Sequence, residues 1–314
     1  MQLLHYQSLP KIVTSSVISV GNFDGIHRGH ELLIREVVKR ARAAGIASVI
    51  VTFDPHTRSV VNDAEQPVLS TLEEKAVLLE RFGVDYLAWI PFDAAFAALS
   101  PAEFLENVVK KEFRASEIVM GEQHTFGSKQ AGDKNFLQSE AGRNHINIFA
   151  ISTLTGENLV ISSTEIRKAI VEGRVFDSVK MLGHPYLISG IRVRGIQKGT
   201  ELGVPTINFK LPTAHKVLPP SGVYAAELEY KKEKSTGALY IGDCPTFDNR
   251  DFHLEFHALN FNGHAPETGE IGQVWIHQMI RRDIKFSSSD ELVLQMNKDV
   301  VSINNFFAGE RICR

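Results

Sequence analysis

Residues 16–30 read SVISVGNFDGIHRGH, and this stretch decides the fold of the first half of the chain. Ser16–Val20 is a short β-branched run typical of a strand, and residues 29–44 carry apolar side chains at helical spacing until Gly45. The glycine-rich turn joins the end of the strand to the first turn of the helix. In open α/β sheets ligands bind outside the carboxyl ends of the strands, so the pattern predicts a binding site at this turn.

Strands and helices continue to alternate until about residue 150. Strands are predicted at residues 47–53, 86–90, 117–120 and 146–150, and helices at residues 72–82 and 101–113. The first of these helices is entered through a predicted capping box at residues 70–73, and the second has Ser100 as N-cap and Pro101 at its first position. This alternation predicts an α/β, Rossmann-like domain with a parallel sheet covered on both faces.

The pattern changes after about residue 185. Strand-like runs at residues 222–230, 238–241, 252–261 and 273–280 are separated by turn residues, and a helix follows at residues 289–304, capped by residues 288–291. The second half is therefore predicted to be a small antiparallel β-barrel with a C-terminal helix. We predict two domains, residues 1–184 and 185–314.

The composition is that of an ordinary soluble globular protein. Of 314 residues 43% are hydrophobic and 23% charged, and the net charge of −3 predicts neither nucleic acid nor an anionic membrane as a partner. Residues 1–13 have no signal-peptide pattern, and no apolar run reaches the length of a membrane span. Cys244 and Cys313 lie far apart and predict unpaired thiols in a reducing cytoplasm.

His27 and His30, with Gly29 between them, are the candidate catalytic residues in the turn after the first strand. Histidines three residues apart at a helix start can face the same way, and the glycine between them allows a triphosphate to approach the backbone. The helix N-terminus favours anions, and two imidazoles can donate hydrogen bonds during displacement at phosphorus. Metal binding by the two histidines is an alternative, although no third ligand occurs at suitable spacing.

Four motifs occur in order in the first half of the chain: G-x-F-D-G-x-H-x-G-H at residues 21–30, T-F-D-P-H at 52–56, F-G-x-x-x-x-G at 126–132 and S-S-T-x-I-R at 162–167. With these motifs the chain resembles the prokaryotic bifunctional riboflavin kinase/FAD synthetase family. The resemblance implies that the first domain converts FMN and ATP into FAD and pyrophosphate, with Mg²⁺ neutralising the triphosphate.

The resemblance also implies a set of residues around ATP and FMN in the first domain. His27 and His30 are expected to contact the triphosphate, and Arg167, whose planar fork matches phosphate oxygens, is expected to close over it. Gln123 is expected along the flavin or adenine pocket, where the family commonly has Asn or Asp. The other expected contacts of ATP or FMN are Gly21, Phe23, Asp24, Gly25, Gly29, Asp54, His56, Phe126, Ser163 and Thr164.

Residues 199–208, GTELGVPTIN, resemble the kinase half of the same family. The resemblance implies that Thr206 and Asn208 hold Mg²⁺–ATP, for which hydroxyl and amide oxygens are suitable ligands. Glu255 is implied to accept the proton of the ribityl 5′-hydroxyl as it attacks the γ-phosphate. The expected loop around this site contains Gly199, Gly203 and Pro205.

Several residues in the second half depart from the family pattern. Thr200 and Cys244 replace arginines, Tyr240 replaces an asparagine and Asn260 replaces an aspartate. The leading hypothesis is an enzyme that makes FMN from riboflavin and then FAD from FMN, with ATP, riboflavin, FMN and FAD as small-molecule partners. The alternatives are an FAD synthetase with a degenerate kinase domain and a non-catalytic flavin-binding or regulatory protein. The sequence does not predict the oligomeric state.

Overall fold

The computed structural model describes residues 1–11, 13–61, 66–122, 125–128, 131–133, 135–136, 139, 146–152, 161–194, 206–213, 215–244, 251–259 and 264–310. The chain forms two compact units, Met1–Ser163 and Thr164–Arg314. Over the described ranges, no helix has both the length and the apolar character needed to cross a membrane.

The first unit is built on a six-stranded parallel sheet with the strand order β1-β4-β3-β2-β5-β6. The central strand β2 therefore has β3 on one side and β5 on the other. The strands that follow β2 in sequence are added first on one side of it and then, from β5 onward, on the other side. The loop after β2 lies at this switch point, where α/β sheets bind their ligands. The strands are β1 (Gln2–His5), β2 (Ser16–Val20), β3 (Ala47–Asp54), β4 (Tyr86–Pro91), β5 (Ala115–Gly121) and β6 (Asn147–Ile151).

The predicted strands of this unit are confirmed to within about two residues at each end, which is the usual uncertainty of strand boundaries. The edge strand β1 was not predicted, because four residues with two exposed positions show little alternation. Strands β2 and β3 show no alternation of buried and exposed positions, because both strands are covered on both faces. Val49, Val51 and Ile90 pack in one core with Phe104 and Val108 of the following helix.

Helices α1 (Arg28–Ala44), α2 (Thr57–Val61), α3 (Leu72–Glu80), α4 (Ala94–Ala97) and α5 (Pro101–Glu103) lie between these strands, and α5 continues as a π-helix over Phe104–Glu112. Helix α1 ends at Gly45 with a left-handed φ of 66°, as the glycine predicts. The capping box of α3 is formed by Thr71 and Glu74 rather than by residues 70 and 73. Both pairs have the spacing of a capping box, but the Ser70 hydroxyl accepts from the Gly25 N–H instead, and Thr71 takes the N-cap position.

The second unit contains a closed antiparallel barrel with the strand order β10-β11-β8-β7-β12-β9. Strands β7 and β8 were not predicted, because the glycine inside β7 resembles a turn signal and β8 has only four residues. A Cβ at Gly190 would lie 2.7 Å from Phe209 of β8, so the glycine permits close packing inside the barrel. The barrel strands are β7 (Tyr186–Val193), β8 (Ile207–Lys210), β9 (Gly222–Tyr230), β10 (Glu233–Cys244), β11 (Asp251–Ala258) and β12 (Ile271–Arg282).

The helices described in this half of the chain are α6 (Ser163–Val171), α7 (Val175–Leu182) and the C-terminal α8 (Ser289–Glu310). Ile303, Phe306 and Phe307 of α8 pack against Val223 and Ala225 of strand β9. The predicted antiparallel barrel with a C-terminal helix is thus confirmed.

Candidate active sites

The loop after β2 has backbone dihedral angles that few residues adopt, and it ends at His27, where helix α1 begins. Phe23, Gly25 and Ile26 have positive φ values of 45°, 80° and 43°. Phe23 and Ile26 are buried, so their packing helps to hold conformations that non-glycine residues rarely adopt. Gly21 fixes the start of the loop by donating its N–H to the Val51 carbonyl of β3 at 3.0 Å.

His27 and His30 stand together at the N-terminus of α1. His27 is the N-cap, and its Nδ1 accepts a hydrogen bond from the His30 N–H at 3.4 Å. The two rings are stacked, with centroids 3.7 Å apart and planes 17° from parallel. A Cβ on Gly29 would lie 3.1 Å from His27 Cε1, so a glycine here leaves room for the stacked ring. The geometry confirms that the two histidines face the same way.

Asp24 is buried and organises the loop. Its Oδ1 accepts hydrogen bonds from the N–H groups of Leu69 at 2.8 Å and Ser70 at 3.0 Å. Gly25 donates its N–H to Ser70 Oγ at 2.9 Å, and Ser163 donates its hydroxyl to the Asp24 carbonyl at 3.0 Å. These bonds join the loop to the start of α3 and to the fourth sequence motif.

The second motif lies at the end of β3, beside the loop. The Asp54–Pro55 peptide bond is cis, Asp54 is exposed, and His56 is buried with its Nδ1 accepting from the Arg58 N–H at 3.2 Å. Asn22 connects the first and second motifs: its Nδ2 donates to Thr57 Oγ1 at 2.9 Å, and its Oδ1 accepts from the Thr57 N–H at 3.2 Å. Thr57 therefore contributes both its hydroxyl and its backbone N–H to this connection.

The first and last residues of the third motif pair with each other. Phe126 and Gly132 exchange two backbone hydrogen bonds of 2.9 Å, and a Cβ on Gly132 would lie 2.6 Å from Phe126 Cζ. The Phe126 ring is half-buried and contacts Phe104 and Phe136 with centroid distances of 5.6 and 6.1 Å. Gln123 lies outside the described residues.

The fourth motif begins helix α6. Ser163 belongs to the first unit through its bond to Asp24, whereas Thr164 and Arg167 belong to the second. Thr164 is exposed and Arg167 half-buried, and both lie in the first turns of the helix. The structure therefore connects Ser163 directly to the histidine loop, and the proposed contacts of Thr164 and Arg167 with ATP stay predictions.

The second unit brings three predicted residues together on the outer face of the barrel. Glu255 of β11 is directly opposite Asn208 of β8 in the antiparallel register, so their side chains share one face. Leu254 and Phe256 on either side of Glu255 are buried in the barrel, which places Glu255 on the opposite face. Asn208 Nδ2 donates to Thr206 Oγ1 at 3.4 Å.

Tyr240 of β10 lies on the other side of Glu255 from Asn208. It is one of the residues that depart from the family pattern. It is directly opposite Glu255 in the register of β10 and β11. Burial raises the pKa of the Tyr240 phenol, and the nearby charges of Asp283 and Glu255 raise it further. Arg281 opposes this shift and is itself held by Asp299 through contacts of 3.0 and 2.9 Å. Gly199, Thr200, Gly203, Pro205 and Asn260 lie outside the described residues.

Metal coordination by the two stacked histidines gains no support from their surroundings. Among the residues that the structure describes, no group of three or more His, Cys, Asp or Glu side chains could hold a metal ion.

Comparison with known proteins matches both units. A model of the FAD synthetase family matches residues 9–165, and a model of the riboflavin kinase family matches residues 182–307. A bifunctional riboflavin kinase/FMN adenylyltransferase of Buchnera aphidicola is 32% identical over 96% of both chains. The proteins of the same name from Listeria monocytogenes and Escherichia coli K12 are each 32% identical, covering 94% and 93% of this chain and 93% and 92% of their own length.

The chain belongs to the bifunctional riboflavin kinase/FMN adenylyltransferase family.

Members of this family combine the two domains that the sequence predicts, and both are present in this chain. A crystal structure described as a macrolide-efflux protein from Streptococcus pneumoniae is also similar, with a TM-score of 0.81 and 30% identity over 96% of this chain and 97% of that one. The predicted family, fold class and flavin substrates are confirmed. The FAD synthetase match contains both histidines of the first site, and the riboflavin kinase match contains Thr206, Asn208 and Glu255.

Asn22, Thr52 and Lys75 were not predicted as parts of the first site. Thr52 Oγ1 donates to the Asn22 carbonyl at 3.0 Å and accepts from the Lys75 ammonium at 3.1 Å. Thr52 stands inside the second motif and Asn22 inside the first, so both were visible as motif residues. Lys75 could have been found as a charged residue on the buried face of α3, beside Leu78 and Leu79.

Proposed function

We propose that this chain makes FMN from riboflavin and ATP in its second unit and FAD from FMN and ATP in its first. The proposal for FAD rests above all on one observation: two stacked histidines at the N-terminus of α1, at the switch point of a parallel sheet. A helix N-terminus attracts phosphate through its free N–H groups and its dipole.

In adenylyl transfer an oxygen of the FMN phosphate attacks the α-phosphorus of ATP, and the bond to pyrophosphate breaks. His27 and His30 would donate hydrogen bonds to the phosphate oxygens as negative charge accumulates on the leaving group. Since FMN brings its own phosphate nucleophile, the protein needs no covalent nucleophile. Arg167 is proposed to add a fixed positive charge to the same phosphates.

In the kinase reaction the riboflavin 5′-hydroxyl attacks the γ-phosphorus of ATP, and ADP leaves. Glu255 would accept the hydroxyl proton, because it lies on the outer face of the barrel beside Asn208. Thr206 and Asn208 provide oxygen donors that fit Mg²⁺, which prefers few protein ligands and retains phosphate and water oxygens. When bound, Mg²⁺ would neutralise the charge of the triphosphate.

The remaining site assignments stay predictions. They include direct contacts of Gly21, Phe23, Asp24, Gly25, Gly29, Asp54, His56, Gln123, Phe126, Ser163 and Thr164 with ATP or FMN, and of Gly199, Gly203 and Pro205 with the kinase substrates. A cytoplasmic location is also proposed, supported by the use of ATP and by two cysteines distant in sequence.

The test is a chromatographic assay of the full chain with Mg²⁺–ATP, supplied separately with riboflavin and with FMN. The wild-type protein is expected to form FMN and FAD from riboflavin, and FAD from FMN. The His30→Ala variant should lose at least about a hundredfold in FAD formation and keep FMN formation, since it loses a hydrogen-bond donor to the reacting phosphates. The Glu255→Gln variant should show the reverse.

Each variant is the control for the other. Equal loss of both activities in the His30→Ala variant would contradict the assignment of the two reactions to separate units. A Glu255→Gln variant with full kinase activity would remove Glu255 as the base. A wild-type chain that converts FMN but not riboflavin would show that the replacements at Thr200, Tyr240, Cys244 and Asn260 have abolished the kinase.

A further inference from the structure

Lys75 is a buried lysine whose ammonium lies at the carboxyl edge of the sheet, below the histidine loop. Only 5% of its surface is exposed, and its Nζ donates to Thr52 Oγ1 at 3.1 Å. Burial lowers the pKa of Lys75 below its ordinary value, while the negative charges of Asp24 and Asp54 act against that shift. A cation that is almost completely buried needs such compensation.

The hydrogen bonds around Lys75 have a fixed direction. The Thr52 hydroxyl has a single proton, which it donates to the Asn22 carbonyl at 3.0 Å, so it can only accept from Lys75. Asn22 immediately precedes the segment in which Phe23, Gly25 and Ile26 have left-handed φ values. Through the Thr52 hydroxyl, the Lys75 ammonium is thus connected to Asn22, the residue just before the part of the loop with left-handed φ values.

Charge gives Lys75 a second connection to the same loop. The Asp24 carboxylate is 1% exposed and accepts backbone N–H groups from Leu69 and Ser70. Coulombic attraction between Asp24 and Lys75 compensates two charges that would each be costly to bury alone. The preceding residue of α3, Glu74, is also buried and accepts from the Thr71 N–H at 2.9 Å in the capping box.

We propose that Lys75 is a positioning residue for adenylyl transfer, and that its ammonium keeps residues 22–26 in the shape that presents His27 and His30 to the phosphates of ATP. Lys75 touches neither substrate in this proposal and acts through Thr52 and Asp24. The inference rests on the proposed synthesis of FAD in the first unit.

The test compares the full-length wild-type chain with the Lys75→Met variant, which has a side chain of similar length without charge. At neutral pH, FAD formation from FMN should fall at least about tenfold, because small displacements of catalytic groups cost that much. Riboflavin phosphorylation by the same molecules should stay within about twofold of wild type. Far-UV circular dichroism and thermal unfolding would show that the variant is folded at the assay temperature.

The pH dependence separates the role of the charge from a role in packing alone. Thr52 accepts a hydrogen bond from the ammonium, and the charges of Asp24 and Asp54 act on it. If the charge matters, the ratio of wild-type to variant rates should fall as the pH is raised, because burial lowers the pKa of Lys75 and wild-type Lys75 then loses its proton at a lower pH than an ordinary lysine. A loss due to packing alone would leave that ratio constant.

A second buried lysine provides the matched control. Lys216 Nζ donates to the Leu187 carbonyl at 2.8 Å and lies 4.5 Å from the centre of the Tyr186 ring, within the second unit. Lys216→Met also removes a buried ammonium, and its FAD formation from FMN should stay within about twofold of wild type.

Three results would overturn the proposal: a folded Lys75→Met variant with FAD formation within about twofold of wild type, a rate ratio independent of pH, or an equal loss in the Lys216→Met control. If Lys75→Met does not fold, the Lys75→Arg variant is the test, because arginine keeps its charge at high pH. Its FAD formation should fall less than that of the wild type as the pH is raised, and an equal fall overturns the proposal. A wild-type chain that makes no FAD at any pH would instead refute the proposed function itself.

Discussion

Replacing Gly29 with alanine should separate the geometry of the two histidines from the stability of the protein. The new Cβ would lie 3.1 Å from His27 Cε1 and 3.2 Å from its Nδ1, where ordinary contacts are 3.4–4 Å. The ring must therefore move by a few tenths of an ångström. The hydrogen bond from the His30 N–H to His27 Nδ1 is already 3.4 Å long, so this displacement should break it.

The expected change in stability is small because two effects oppose each other. Loss of the N-cap bond lowers the free energy of unfolding by about 0.5–2 kcal/mol. Replacing glycine with alanine within a helix raises it by about 0.5–1 kcal/mol. The free energy of unfolding should therefore change by less than about 1.5 kcal/mol. The rate of FAD formation should fall about tenfold or more, since misplacement by 1 Å costs roughly a hundredfold.

The assay measures FAD formation from FMN by chromatography, with riboflavin phosphorylation as the internal control and thermal unfolding as the measure of stability. Gly45→Ala, at the other end of α1, is the matched variant. Its φ of 66° disfavours alanine, so it should cost about 1 kcal/mol and leave FAD formation unchanged. Full FAD synthesis by the Gly29→Ala variant would refute the reasoning, as would an equal loss of kinase activity.

Two further predictions concern the barrel unit. Asp299→Ala leaves the largely buried Arg281 without its carboxylate partner, which should destabilise the unit by about 3–5 kcal/mol and weaken the packing of α8 on the barrel. Chemical unfolding measures this loss, and an unchanged unfolding midpoint would contradict the prediction. Tyr186→Phe removes a buried hydroxyl that donates to the Val217 carbonyl at 2.7 Å, and should cost about 1–3 kcal/mol in unfolding experiments without changing either enzymatic rate.

Local patterns in the sequence were sufficient to predict much of the fold. The strand–turn–helix at residues 16–30 predicted β2, α1 and the histidine pair, because the hydrophobic period and the glycine at a helix end depend on neighbouring residues. The change to strand-like runs after about residue 185 predicted the barrel for the same reason. Family motifs then indicated both reactions.

Only the tertiary structure decided which distant residues meet. The pairing of Asn208 with Glu255 depends on the register of β8 and β11, and the hydrogen bond between Thr52 and Lys75 depends on how α3 packs against the sheet. Neither is encoded in a local period, because register and packing result from the whole core. Lys75 looks like an ordinary helix lysine in the sequence, and only burial beside Asp24 shows that its charge is held inside the protein.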